Sequence, residues 1–165
     1  MKGQYFEQYF TLALFIIICS YFFLQVIIAT PRYLNEHRFQ ILNSKAFQIS
    51  EILLNDPGYP IDWENDPINV IRFGLNDQNS NKTNFIKINK AIKFNQECSS
   101  DYQNIKNKLG VSKEFDFSIS LIFSNGTQLI NCTMPSFKPY KMKETIKRIG
   151  YSKDGFFTLI VEVLE

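Results

Sequence analysis

The side chains able to do chemistry are few, and their spacing limits what they can do. The chain has one histidine, His37. A catalytic triad or a His-rich metal site would need more, so His37 reads as a polar side chain on a juxtamembrane helix. Asp62, Glu64 and Asp66 alternate after a proline-rich turn. They lack the later glycine and the bidentate glutamate of a calcium loop and read as a solvated acidic loop. No phosphate-binding glycine loop and no metal-type cysteine pair occurs. Nothing therefore points to an enzyme, a cofactor or a metal. Of the three cysteines, Cys19 lies in an apolar run as a small packing residue. Cys98 and Cys132 either pair, as an oxidising compartment would permit, or remain two buried thiols. Three Asn-X-Ser/Thr sequons begin at Asn81, Asn125 and Asn131. Asn81 falls in a polar loop and Asn125 at a hairpin tip. Both are accessible there, whereas Asn131, within a strand and beside Cys132, is expected to be the least modified.

The elements that position these residues divide the chain in two. Residues 8–30 carry no charge, and 9–30 contain 13 Leu, Ile, Phe or Val among 22 residues. A helix of that length spans about 33 Å, enough for a hydrocarbon core of about 30 Å. A removable secretory signal would have a shorter apolar region ending in small residues, which Ile28-Ala29-Thr30-Pro31 does not supply. The net charge is +2 on 165 residues. That is too balanced for a nucleic-acid binder, which would gather a basic excess on one face. Lys2 and the external sequons orient the chain with its N-terminus inside and its domain outside.

Beyond Pro31, Leu34, Ile41, Leu42, Ala46, Ile49 and Leu53 repeat at helical spacing. One rod is expected from about Tyr5 to Asn55, with a kink near Pro31. Asp56-Pro57-Gly58-Tyr59-Pro60 ends it. A strand is expected over 68–75, and a short strand or a helix lead-in over 84–89. A helix is expected over 100–109. Phe115, Phe117, Ile119, Leu121 and Phe123 alternate with polar residues as a half-buried strand. Asn125-Gly126 turns it into 128–133, and a second hairpin joins 143–151 to 156–164 through Asp154-Gly155. Phe157, Leu159, Val161 and Val163 give the last strand one apolar face. The fold class is α+β, a long N-terminal transmembrane and amphipathic helix packed on an antiparallel sheet. Trp63, with Pro57 and Pro60, reads as packing of the helix exit onto that sheet.

This outline resembles a type IV pilin. Lys2-Gly3-Gln4 before the apolar helix is similar to the class III signal peptide of archaeal prepilins, which a membrane prepilin peptidase cuts between Gly and Gln. Pro57, Gly58, Pro60 and Trp63, with Gly74-Leu75 downstream, resemble the helix-exit block of many archaeal pilin-like surface proteins. The segments 90–92, 102–110, 115–119 and 146–148, and the closing Val161-Glu162-Val163, follow in the same order, so the resemblance runs along essentially the whole chain. It implies a leader at 1–3, a transmembrane helix at 4–30, its amphipathic extension at 31–56 and an extracellular pilin-like domain at 57–165. It implies the membrane, the peptidase and other pilin-like subunits as partners, and a role in surface filaments and attachment. In one respect the chain departs from the pattern. Pilins usually carry Glu at the fifth residue of the mature chain, whereas here that residue is Gln8 and the assembly carboxylate is Glu7, turned by about 100° on a helix. A minor or non-assembling pilin-like protein fits that departure. The competing reading is an anchored ectodomain, uncleaved and unpolymerised, that binds a ligand or a membrane partner.

Overall fold

A computed structural model describes residues 2–78, 80, 84–134 and 139–165, with the backbone alone described for 2–8. It is α+β. Helix α1 runs Lys2–Asn55 and passes through Pro31. The proline withdraws the backbone donor that would meet the Ile27 carbonyl, and one residue earlier the Thr30 hydroxyl donates to the Val26 carbonyl at 2.6 Å. Two compact units share this helix, Met1–Arg38 and Phe39–Glu165.

In the first unit every described side chain is exposed, among them Phe15, Ile17, Phe23, Ile28, Tyr33 and Leu34. The amphipathic stretch is thus shorter than its sequence spacing suggests. Leu34 shares the periodicity but is exposed, and burial begins at Ile41 and Leu42.

In the second unit the end of α1 covers a four-stranded antiparallel sheet. The strands are β1 (Asp116–Phe123), β2 (Gln128–Cys132), β3 (Lys143–Ser152) and β4 (Gly155–Leu164). Their order is β2-β1-β4-β3, so the first and last strands are central. Alternation fills one face: Phe117, Ile119 and Leu121 of β1 and Phe157, Leu159, Val161 and Val163 of β4 are buried. Against them lie Leu42, Ala46, Ile49, Leu53 and Leu54 of α1. Ser50, also buried, turns its hydroxyl back to the Phe47 carbonyl at 2.7 Å. Asn43 donates to Glu144 at 3.0 Å, and Arg148 meets Glu51 at 2.7 Å, which fastens the helix to strand β3.

Helices α2 (Ile88–Ser100) and α3 (Tyr102–Lys108) complete the helical layer. Asp101 caps α3 by accepting from the Asn104 amide at 2.9 Å. Tyr102 stacks on Phe117, and its hydroxyl accepts from the Phe117 amide at 2.9 Å. Burial pushes this phenol above its usual range.

Residues 68–75 do not form a strand. A 3-10 turn occupies Pro67–Asn69, and the Ile71 and Arg72 amides both turn to the Tyr59 carbonyl. The apolar residues that enter the core are Val70, Phe73 and Leu75, a spacing that is not alternation. Residues 84–89 combine both expectations. Phe85 and Ile86 make single bridges to Tyr151 and Asn76, and α2 starts at Ile88.

Candidate functional site: the apolar helix and its exit

The last carbonyls of a helix have no intrahelical donor and must find partners. At the end of α1 the partners come from a segment about 20 residues further on. The Leu53 carbonyl accepts from the Leu75 amide at 2.9 Å, and that of Leu54 from the Asn76 side chain at 3.1 Å. The Asp56 carbonyl accepts from the Asn76 amide at 3.1 Å. Close approach of two backbones requires Gly74. A Cβ there would lie 2.1 Å from the Asp56 carbonyl oxygen and 2.6 Å from the Gly58 nitrogen. Gly58 itself sits at φ +83°, and a Cβ on it would run into the Trp63 indole at 2.6 Å.

Trp63 closes this knot. It is fully buried, its indole N–H donates to the Gly74 carbonyl at 2.9 Å, and its ring meets Phe73 edge-on at 5.0 Å. Phe73 continues to Phe94 of α2 at 5.5 Å. Pro57 contributes a carbonyl that accepts from buried Lys90, whose ammonium also reaches the Asn76 carbonyl at 3.3 Å. Burial pushes the Lys90 pKa down, with the Glu64 carboxylate opposing. Pro60 follows a cis peptide bond from Tyr59. Asp56 accepts from the Gly58 amide at 2.7 Å and pairs with Arg72 at 2.7 Å. Lys90, Asn76 and Arg72 carry no motif of their own. An apolar register that places lysine on the buried side of α2 is the one signal that could have singled out Lys90.

The acidic residues of the loop do not converge. Asp66 accepts from Asn69 at 2.8 Å, while Glu64 turns inward to Lys87. That ion pair raises the Lys87 pKa. Among the described residues no cluster of His, Cys, Asp and Glu could hold a metal. His37 is exposed on α1.

Cys98 of α2 and Cys132 of β2 form a disulfide with Cα atoms 5.7 Å apart, closing a loop of sequence separation 34. Cys19 is a free, exposed thiol in the apolar stretch. Asn125 is exposed at the hairpin tip, its side chain accepting from the Thr127 amide at 2.9 Å. Asn131, expected to be the least modified of the three, is exposed as well. Strand alternation sends Ile130 and Cys132 inward and Asn131 outward. Its backbone N–H donates to Asn95 of α2 at 2.8 Å. Asn81 lies outside the described residues, and Gly3, Gln4 and Glu7 are described only as backbone of α1.

Helix α1 is long and apolar enough to cross a membrane, and its apolar window is unburied. Comparison with known proteins adds a distant relationship. No family model matches the chain, and no solved structure does. The chain is similar to an archaeal protein of Archaeoglobus fulgidus, itself described only as an uncharacterized protein, with 29% identity over 104 residues. The match covers 54% of this chain and 55% of that relative, so the chain spans about half the length of the relative it matches.

Proposed function

We propose that this chain is a membrane-anchored, pilin-like structural subunit of an archaeal cell-surface assembly, processed between Gly3 and Gln4. The observation that carries the reading is the character of α1. One helix is exposed and apolar through its first unit and is built into the core of an antiparallel domain by its last turns. An apolar helix surface of that extent needs lipid or other apolar helices around it. Its backbone is internally hydrogen-bonded, which is what a hydrocarbon environment demands. In a membrane it would hold the subunit, and in an assembly it would pack with its counterparts. The Phe39–Glu165 unit would then stand outside, where the disulfide and the exposed Asn125 suit an oxidising, glycosylating exterior. The role is structural rather than catalytic, with a prepilin peptidase and other pilin-like subunits as partners.

The position of Glu7 favours a second reading, a minor or non-assembling subunit. The residue sits one place before the usual carboxylate, and a charge near hydrocarbon needs a partner in the right direction. The N-terminal residue of protein purified from its native membrane tests the main reading. A chain beginning at Gln4 supports processing. A chain beginning at Met1, from cells with an active prepilin peptidase, overturns it and leaves an anchored ectodomain.

A further inference from the structure

The sequon Asn131-Cys132-Thr133 has a cysteine as its middle residue, and the fold fixes that cysteine in place. Strand β2 is an edge strand, with β1 on one side and no strand on the other among the described residues. Its free edge is met by α2. The Asn131 backbone N–H donates to the Asn95 side chain at 2.8 Å, and Cys132 is bonded to Cys98. Alternation leaves Asn131 and Thr133 exposed on either side of buried Cys132. The amide and the hydroxyl that define the sequon therefore both reach solvent, on backbone held from two sides.

Beside them lies a hollow of about 280 Å³, lined by Cys98, Ser99, Ser100, Tyr102, Asn131 and Thr133. None of these residues is charged, and Ser99, Ser100 and Thr133 are exposed. The Ser99 and Ser100 hydroxyls donate to the Asn95 and Glu97 carbonyls at 2.9 and 3.0 Å, so each still offers oxygen lone pairs as acceptors. Such a rim suits a neutral ligand rich in hydroxyl donors, whereas an ion would find no countercharge. The hollow also leads to the disulfide. Cys132 is fully buried, while Cys98 keeps 4% of its surface and forms part of the wall. Thiol–disulfide exchange needs access to a sulfur, so a reductant meets the bridge from this side. Asn125 offers a contrast, since it is exposed at a hairpin tip in open space, where a Cβ on Gly126 would meet nothing within 4 Å.

We propose that Asn131 carries an N-linked glycan whose first, neutral sugar folds over the free edge of β2 into this hollow and shields the Cys98–Cys132 bridge. Because β2 is outermost, no strand stands between the Asn131 side chain and the hollow. In the transfer a bond forms between the Asn131 Nδ2 and the anomeric carbon of the sugar. The bond from that carbon to the phosphate of a lipid-linked sugar donor breaks. The amide gives up one proton, and the lipid phosphate leaves as an anion. In the folded unit β1, Asn95 and the disulfide hold the sequon in place, so transfer precedes closure of the bridge. The inference rests on the external placement of Phe39–Glu165 in the structural-subunit reading, but it involves neither the leader nor α1 before Phe39.

The test uses the full chain purified from its native membrane. Mass spectrometry of the peptide containing Asn131 is expected to show the mass of a glycan on most copies. Reduction by dithiothreitol without denaturant, read by thiol labelling at Cys98 and Cys132, reports the shielding. Asn131→Gln removes the acceptor amide and Thr133→Val the sequon hydroxyl. Each should abolish the glycan and speed reduction about tenfold, equivalent to ~1.4 kcal/mol of barrier. Thr133→Ser keeps the sequon and should keep both the glycan and the slow rate. Asn125→Gln removes a sequon away from the hollow and should leave the rate unchanged. All three positions are exposed, so these variants keep the fold. A bare Asn131 overturns the proposal, and so do glycan-free variants that are reduced no faster than the wild type. Equal acceleration by Asn125→Gln overturns it too, because the effect would then not come from the hollow. The two readings fail separately. A chain starting at Gln4 with a bare Asn131 removes only the glycan, while a chain starting at Met1 with a modified Asn131 removes only the processing.

Discussion

At Gly74 a single methyl group decides whether the helix exit can close. A Cβ there meets backbone atoms of Asp56 and Gly58 that are themselves held by hydrogen bonds, so nothing flexible can give way. Gly74→Ala should destabilise the folded unit by about 3 kcal/mol, the upper end of the cost of overpacking, read from chemical denaturation. Lys90→Met tests the other side of the knot. The side chain keeps its length, but the Pro57 and Asn76 carbonyls lose their donor, and a loss of about 1–3 kcal/mol is expected. Glu51 gives the site a pH signature. The hydrogen bond from Arg148, and then that from Asn55, hold its carboxyl below the usual range. A folded pKa below the unfolded one contributes stability above the ordinary carboxylate range and loses it as the pH falls through the folded value. Because the pair is partly exposed, the effect is under about 1 kcal/mol. Denaturation midpoints compared between pH 7 and pH 3 should show this loss in the wild-type chain and not in Glu51→Gln.

At the scale of elements, the disulfide joins α2 to the edge strand β2, which has central β1 on its other side. Closing a loop of sequence separation 34 should be worth about 3–4 kcal/mol through the unfolded chain. Cys98→Ser with Cys132→Ser should lower the denaturation midpoint accordingly, and adding reductant should do the same to the wild type alone. The sheet and its hairpins were legible because alternation in 115–123 and 156–164 is unbroken and both turns carry glycine. The segment from 56 to 87 was not. Its apolar residues serve two masters, some filling the core and some facing outward. Its backbone bonds go to the end of α1 and to Tyr59 rather than to a ladder. Local spacing cannot reveal a bond whose partner is about 20 residues away. Leu34 failed for a related reason, since periodicity shows which face is apolar but not where along the helix a domain begins to cover it. Of the exit knot, the glycines, prolines and Trp63 could be picked out, but their purpose depends on Asn76 and Lys90, which no pattern marks.

At the scale of the molecule, exposed apolar side chains are concentrated in the unit Met1–Arg38, and the polar surface belongs to Phe39–Glu165. Residues 39–165 expressed alone should therefore enter the aqueous phase on detergent phase separation, whereas the full chain should enter the detergent phase. Recovery of both in the detergent phase would count against α1 as the sole anchor. The way α1 joins its domain also has a mechanical meaning. Its buried residues, from Leu42 to Leu54, are strung along the helix axis, and Glu51 and Asn43 tie the same stretch to β3. A tug on the helix from its N-terminal side therefore loads these contacts in shear, all at once, instead of unzipping them one by one. Such an arrangement resists force far better than its equilibrium stability alone would suggest, as suits a component held at one end while its surroundings pull on the other.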